Sequence, residues 1–264
     1  MNGGETLQGQ RAIISGGLGD IGRAIARELA RRGADIALGD VLEPEKAEPM
    51  LQELEQMGRK ARYDYADVSD AHAVRGWVAA VETDLGVPTL IIPNAAVVTL
   101  EGIRTLTPEQ WRRELRINLD GAFHLAQAGA QRLLHHQLPG CIVFIGSWVG
   151  HAAQTHIPAY CVSKAGIRML CRCLARDLAP HGILVNEVAP GNVDAGLSGR
   201  IYDATPGLRE RDSRRIPVRK LIQPEEVAWQ VANLCEPANQ NMTGSVLVMD
   251  GGLSLLSYRK EEED

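Results

Sequence analysis

Residues 11–22 read Arg-Ala-Ile-Ile-Ser-Gly-Gly-Leu-Gly-Asp-Ile-Gly, a short apolar run that leads into a glycine-rich turn and then into a helical pattern. Apolar residues recur at positions 21, 25 and 29, and Gly33 is typical of the position just after a helix C-terminus. A glycine-rich turn lets the backbone approach a pyrophosphate, whose charge is bound by the free N–H groups and the dipole of the helix. The stretch therefore predicts a dinucleotide-binding unit, the alternative being a tight turn without a ligand. The residues expected at the cofactor are Ser15, Gly16, Gly19, Asp20, Ile21 and Gly22.

The same alternation of short apolar runs and helical patterns continues along the whole chain. It predicts one domain over residues 1–264, an α/β doubly wound (Rossmann) parallel sheet of about seven strands with helices on both faces. Only the charged tail at 259–264 is expected to be disordered. The predicted strands are 11–15, 35–39, 61–65, 89–92, 141–145, 184–188 and 246–248. The predicted helices are 21–32, 44–57, 71–85, 108–134, 159–178 and 224–235.

Composition excludes several classes of protein. The chain has 264 residues, is 45% hydrophobic and carries a net charge of −5, so it has no basic footprint for nucleic acid. Its five cysteines are odd in number and lack zinc spacing, which favours reduced thiols over a disulfide framework or a metal site. Residues 133–163 lack Asp, Glu, Lys and Arg but contain four histidines and two prolines, which argues against a membrane span. With no apolar signal segment at residues 1–6, we expect a cytoplasmic protein.

An acidic residue at the end of the second predicted strand bears on the choice of cofactor. Asp40 lies 18 residues after Gly22, close to the spacing of about 20 at which an acid binds a ribose 2′-hydroxyl. A carboxylate there repels a 2′-phosphate, and the nearby charged residue is Glu43 rather than an arginine. The sequence therefore predicts NAD in preference to NADP.

A second group of residues has the chemistry of hydride transfer. Tyr160 and Lys164 are four residues apart at the start of a predicted helix, so they share one face, and the ammonium would lower the phenol pKa from its usual value near 10. Ser147 ends a buried strand 13 residues before Tyr160, at the edge of the sheet where ligands bind. Asn118 lies within a predicted helix. Taken singly, Ser147 and Asn118 are equally explained as structural hydrogen-bonding residues.

Taken together, these elements resemble the short-chain dehydrogenase/reductase family over nearly the whole chain. Besides the glycine turn and Asp40, the matching positions are Asp67-Val68, Asn94-Ala95, Asn118, Ser147, Tyr160 with Lys164, Pro190-Gly191 and Asp250-Gly251-Gly252.

The resemblance implies a role for each residue. Tyr160 would be the general acid/base, Lys164 would lower its pKa and hold the nicotinamide ribose, and Ser147 would orient the substrate oxygen. Asn118 would hold a helix distortion and a water for proton relay. Residues that would contact the cofactor elsewhere are Asp67 and Val68 at the adenine, Asn94 and Ala95 along the trough, and Pro190, Gly191 and Val193 at the nicotinamide.

The resulting hypothesis is an NAD-dependent oxidoreductase that interconverts a secondary alcohol and a ketone without a metal, as a homotetramer. Hydrogen-bonding groups at Trp148, His151, Gln154 and His156 suit a hydroxylated substrate, which favours a sugar or polyol dehydrogenase. The alternatives are a 3-oxoacyl (acyl-carrier-protein or CoA) reductase and a non-enzymatic NAD-binding sensor or scaffold. Residues 195–220, with a net charge of +4, resemble a substrate lid that would attract an anion, or else form a solvated or subunit-contacting face.

The sequence departs from the family pattern at four places. Asp20 replaces a loop glycine, and we expect its carboxylate to cap the following helix. Ala96 and Ala195 replace a glycine and a threonine. Glu187 falls in a predicted buried strand, where it needs a partner, for which His181 is the candidate, or a role near the substrate.

Overall fold

The computed structural model describes residues 5–256, without the side chains of residues 197, 198, 200 and 201, so the charged tail at 259–264 lies outside the described residues. Its strands are β1 (Arg11–Ser15), β2 (Asp35–Asp40), β3 (Ala61–Tyr65), β4 (Leu90–Ile92), β5 (Gly140–Ile145), β6 (Ile183–Pro190) and β7 (Val246–Met249). They form one parallel sheet in the order β3-β2-β1-β4-β5-β6-β7. The predicted doubly wound fold is confirmed.

The helices cover both faces of this sheet. They are α1 (Asp20–Arg31), α2 (Glu48–Gln56), α3 (Ala71–Leu85), α4 (Pro108–Leu115), α5 (Gly121–His135), α6 (Pro158–Leu178), α7 (Gly196–Ala204), α8 (Leu208–Arg215) and α9 (Pro224–Leu234). Because successive strand side chains point to opposite faces, the molecule has two apolar cores. Ile14 and Leu38 pack under α1, α2 and α9, while Ile13 and Ile91 pack under α3, α5 and α6. Burial on both faces explains why the strands read as continuous apolar runs.

The predicted helix 108–134 is interrupted. Between α4 and α5, residues Arg116–Asp120 form a π-helical turn that contains the fully buried Asn118. The segment predicted as helix 44–57 also divides, into a short 3-10 turn at Pro44–Lys46 and α2. Pro49 lies in the first turn of α2 and lacks the N–H that a continuous helix would require at that position. The helices α7 and α8 lie within residues 195–220, where the sequence predicted a lid without specifying its structure.

Glu187 on β6 is fully buried and pairs with Arg168 of α6. The Nε and Nη2 groups of Arg168 donate to the two carboxylate oxygens at 3.1 and 2.9 Å. His181 precedes β6, and Glu187 lies four residues, about 13 Å, beyond the first residue of that strand. The expected pairing with His181 is therefore wrong, because the partner comes from a different element of the fold.

Removing one member of this ion pair leaves a buried charge without compensation. We expect Arg168→Met to lower the free energy of unfolding by about 3–5 kcal/mol. The double variant Arg168→Met/Glu187→Met should regain most of that loss, because apolar side chains of similar size often replace a buried ion pair at little cost. Urea unfolding of the wild type, both single variants and the double variant gives the four free energies of the cycle. A double variant less stable than either single variant would contradict this account.

Candidate active site

The carboxyl ends of the central strands meet at the edge of the sheet where the strand order reverses between β1 and β4. A cleft of about 630 Å³ opens there. Its size is within the range of about 300–1,000 Å³ that small-molecule and cofactor sites occupy. The sequence-predicted residues that line it are Gly16, Gly19, Asp20, Ile21, Gly22, Asp40, Asp67, Val68, Asn94, Ala95, Ser147, Tyr160, Lys164, Pro190, Gly191 and Val193.

Two further predicted residues are buried beside the cleft and bond to residues that line it. Ser15 Oγ accepts the backbone N–H groups of Asn94 and Ala95 at 3.0 and 3.2 Å. Asn118 forms two bonds of 2.8 Å with the backbone of Val97, accepting its N–H and donating to its carbonyl. Both side chains therefore fix the segment that follows β4.

The glycines of the first turn allow backbone segments to approach one another closely. Gly16 has a φ of +62°, and a Cβ on it would lie 2.9 Å from Ala95 Cα. A Cβ on Gly22 would lie 2.2 Å from the Gly16 carbonyl oxygen, so only glycine allows α1 to start against this turn. The turn and the first residues of α1 thus present backbone to the cleft, as a pyrophosphate site requires.

Asp20 does not cap α1. The N-cap is Gly19, and Asp20 is the first helical residue, with Oδ2 accepting the N–H of Gly196 at 2.7 Å. The expected cap is wrong because the helix begins one residue earlier than predicted. The carboxylate instead connects α1 to the start of α7.

Asp40 closes one end of the cleft. Its Oδ2 accepts the N–H of Leu18 at 3.1 Å and its Oδ1 accepts that of Val41 at 2.8 Å, so the carboxylate is held in place by backbone. Three cations are among the described residues that line the cleft, Arg113, Arg116 and Lys164, and no bond joins any of them to Asp40. The two arginines, on α4 and the π turn, were not identified from the sequence.

Ser147, Tyr160 and Lys164 lie at the other end of the cleft. Lys164 is 2% exposed, and its Nζ donates to the Ile145 carbonyl at 2.8 Å and lies 5.4 Å from the centre of the Tyr160 ring. Ser147 follows β5, and its carbonyl accepts from Arg168 Nη2 at 3.2 Å. Asn118 Nδ2 donates to Ser163 Oγ at 3.2 Å, which connects the π turn to α6 beside Lys164.

Burial shifts both titratable groups toward their neutral forms. It raises the pKa of the Tyr160 phenol above its usual range, and the charge of Glu114 adds to this shift. It lowers the pKa of Lys164 to about 8, opposed by the charges of Glu187 and Glu114. Burial and the charge of Glu114 therefore act opposite to the lowering of the phenol pKa that the spacing from Lys164 predicted.

The residues predicted to shape a substrate pocket lie elsewhere. None of Trp148, His151, Gln154 and His156 lines the described part of the cleft. His151 Nδ1 lies 2.7 Å from Arg168 Nη1, so this ring contacts the buried ion pair. Their role toward a substrate stays a prediction.

The charges of the lid segment are partly compensated. Arg209 donates to Asp194 at 2.8 Å and to Asp203 at 2.9 Å, and Lys220 pairs with Glu226. Its net positive charge is therefore less available to an anion than the sequence count indicates.

Within residues 5–256, no group of three His, Cys, Asp or Glu side chains is arranged to hold a metal ion. In the same part of the chain, no helix is long and apolar enough to cross a membrane.

Comparison with known proteins agrees with this geometry. The family described as enoyl-(acyl carrier protein) reductase matches residues 17–254. The chain is 32% identical to 2,3-dihydro-2,3-dihydroxybenzoate dehydrogenase of Bacillus subtilis (strain 168), covering 94% of this chain and 97% of that one. It is 30% identical to an L-rhamnose 1-dehydrogenase (NAD(P)(+)) of Sphingomonas sp. (strain SKA58), over 94% and 97% of the two chains.

A solved structure is also similar over nearly its whole length. The crystal structure of a short-chain type dehydrogenase/reductase from Mycobacterium marinum superposes with a TM-score of 0.87 at 31% identity, covering 94% of this chain and 96% of that one. The chain therefore belongs to the short-chain dehydrogenase/reductase family, whose members are oxidoreductases that use a nicotinamide cofactor, NAD or NADP.

Proposed function

We propose that this protein is an NAD-dependent oxidoreductase that interconverts a secondary alcohol and a ketone, with Tyr160 as the general acid/base. One observation carries the proposal: Ser147, Tyr160 and Lys164 share a cleft with the backbone-anchored Asp40 carboxylate. The first three residues supply the chemistry of proton transfer, and the fourth accepts a ribose hydroxyl and repels a phosphate at the same position.

The residues present fit a dinucleotide. The glycine turn presents backbone N–H groups, Asp67 and Val68 line the cleft beyond Asp40, and Asn94 with Ala95 forms its floor. Pro190 ends β6, and Gly191 and Val193 follow it; these three residues line the cleft and would hold the nicotinamide. When bound, NAD supplies a hydride acceptor and a positive charge.

The proton chemistry belongs to the protein. In alcohol oxidation, Tyr160 Oη takes the hydroxyl proton of the substrate while Ser147 Oγ donates a hydrogen bond to the same oxygen. Because burial raises the phenol pKa, this step requires stabilisation of the phenolate, which the Lys164 ammonium supplies from its anchor on the Ile145 carbonyl. Asn118 connects the π turn to α6 through Ser163, and thereby holds the neighbouring Lys164 in position.

For the substrate we favour a sugar or polyol. One relative is named an L-rhamnose 1-dehydrogenase, and NAD dependence is typical of enzymes that oxidise alcohols. A 3-oxoacyl thioester is the second candidate, since the matching family is described by an acyl-carrier-protein substrate. We also propose a cytoplasmic homotetramer, because Val162 and Met169 on α6 and Leu255 near the C-terminus leave large apolar side chains exposed.

Tyr160→Phe tests the reaction. The variant lacks the phenol that moves the proton, so we expect kcat to fall by about 10²–10⁴-fold while the Kd of NADH stays within about twofold. NAD reduction would be measured against sugars, polyols, hydroxy acids and steroid alcohols, and NADH oxidation against 3-oxoacyl thioesters, with thermal unfolding as the control for the fold. Turnover that persists in the variant would contradict the assignment of Tyr160. Tight NADH binding without turnover in the wild type would favour the alternative of a non-enzymatic NAD-binding sensor or scaffold.

Asp40→Asn tests the cofactor preference. The amide keeps one oxygen, which can accept from one of the two backbone N–H groups, and loses the charge that repels a 2′-phosphate. We therefore expect the ratio of the NADPH to NADH Kd to fall by at least about tenfold, with thermal unfolding as the control for the lost bond. Fluorescence titration measures both constants. NADPH binding more tightly than NADH to the wild type would overturn the preference for NAD.

Lys164 should make cofactor binding depend on pH. With a pKa of about 8, its ammonium predominates at pH 7 but only about a tenth remains at pH 9, so fewer molecules donate to the ribose hydroxyls. We expect the Kd of NADH to rise about tenfold between pH 7 and pH 9 in the wild type. In Lys164→Met we expect a higher Kd that is nearly independent of pH. The same slope in both proteins would show that another group is responsible.

A further inference from the structure

Glu114 is an acid in an unusual place. Among the residues of α4 it is the one buried side chain, with no exposed surface. Its Oε2 accepts the Thr99 N–H at 2.9 Å, while its Oε1 has no hydrogen-bond partner among the described residues. An unpaired carboxylate oxygen is costly to bury, so this atom requires a proton or a water.

The neighbours of Glu114 are the residues assigned to proton transfer. It lies one helical turn before Asn118 and on the same face, and Asn118 in turn bonds Ser163 of α6. The helices α4 and α6 pack together. The titratable and charged groups that interact with Glu114 are Tyr160, Cys161 and Lys164 on α6 and Arg113 on its own helix.

We propose that Glu114 holds the proton of the reaction, with Oε1 taking it up during alcohol oxidation and returning it during ketone reduction. The inference rests on the proposed function and assigns its proton a destination inside the protein. Asn118 and Lys164 match the family pattern, whereas Glu114 is identified by its burial and its contacts in this structure.

The step balances. The substrate O–H bond breaks as its proton moves to Tyr160 Oη. The hydride leaves the carbon that bears this oxygen and moves to the nicotinamide. Lys164 gains a proton from Tyr160 as its ammonium gives another to a bound water, which delivers one to Glu114 Oε1. The alcohol, NAD⁺ and the Glu114 carboxylate become the ketone, NADH and the Glu114 carboxylic acid.

The local electrostatics suit this exchange. Burial raises the pKa of Glu114 above its usual range, against the Thr99 hydrogen bonds and the charges of Arg113 and Lys164, which lower it. A carboxyl shifted in this direction exchanges protons closer to neutral pH than an exposed glutamate does. Its ionised form also favours the ammonium of Lys164, the form that donates the proton.

Glu114→Gln separates proton transfer from structure. The amide keeps an acceptor for Thr99 and nearly the same volume but cannot carry a proton. We expect kcat to fall at least about tenfold, with substrate KM and NADH Kd within about twofold. We also expect a larger solvent deuterium effect. The matched control is Glu109→Gln, an exposed residue of the same helix, for which no change is expected.

The free protein supplies a readout that requires no substrate. Infrared difference spectra recorded across a pH titration should contain a carboxylic acid band that appears at higher pH than the bands of exposed acids, because the pKa of Glu114 is raised. This band should be missing in Glu114→Gln and unchanged in Glu109→Gln. A wild type without this band or a Glu114→Gln enzyme with unchanged kcat would each overturn the inference. A wild type that has the band but turns over no alcohol would overturn the proposed function and the relay together, and the band distinguishes that failure from the others.

Discussion

The reversal of strand order between β1 and β4 is the constraint on which the site depends. The chain builds β2 and β3 on one side of β1 and then returns to place β4 on the other side, so the connections leave the two strands in opposite directions. The carboxyl ends of β1 and β4 are therefore left uncovered, and a crevice forms between the segments that follow them. The glycine turn enters it from β1, the Asn94 segment from β4, and Ser147 from β5.

Buried polar groups hold the loops around this crevice. Arg168 bonds Glu187, the Ser147 carbonyl and His151, so one guanidinium connects β6, the end of β5 and the segment that follows it. Asn118 and Glu114 hold the loop after β4 through Val97 and Thr99. In surroundings with few competing waters, such bonds fix geometry firmly, and the loss of one partner is correspondingly costly. Asn118 and Lys164 are attached in this way to backbone groups of neighbouring segments.

The sequence was informative wherever a signal is local. Apolar runs gave the seven strands to within about two residues, and the glycine turn, Asp40 and the Tyr160–Lys164 spacing identified most of the residues that line the cleft. It failed where the partner comes from another element. Glu187 was recognised as needing a partner, but Arg168 lies on a different helix, and the bond from Asp20 spans 176 positions to Gly196. The effect of burial on the Tyr160 pKa was also missed, since residue spacing reveals a neighbour but not the extent of burial.

Glu114 was also not identified from the sequence, because its burial depends on the packing of another helix against α4. One sequence signal did exist, since Glu114 lies four residues before Asn118 and thus on the same helical face. The two buried acids near Lys164 differ in what they can do for it. Glu187 already shares its charge with Arg168 in a bidentate pair. Glu114 has a backbone N–H on one oxygen and no bonded cation among the described residues, so its charge is the less compensated of the two. Both acids raise the pKa of the buried Lys164 ammonium, Glu187 more than Glu114, against the burial that lowers it to about 8. Because Glu114 and Lys164 each favour the charged form of the other, the protonation states of these two side chains are interdependent.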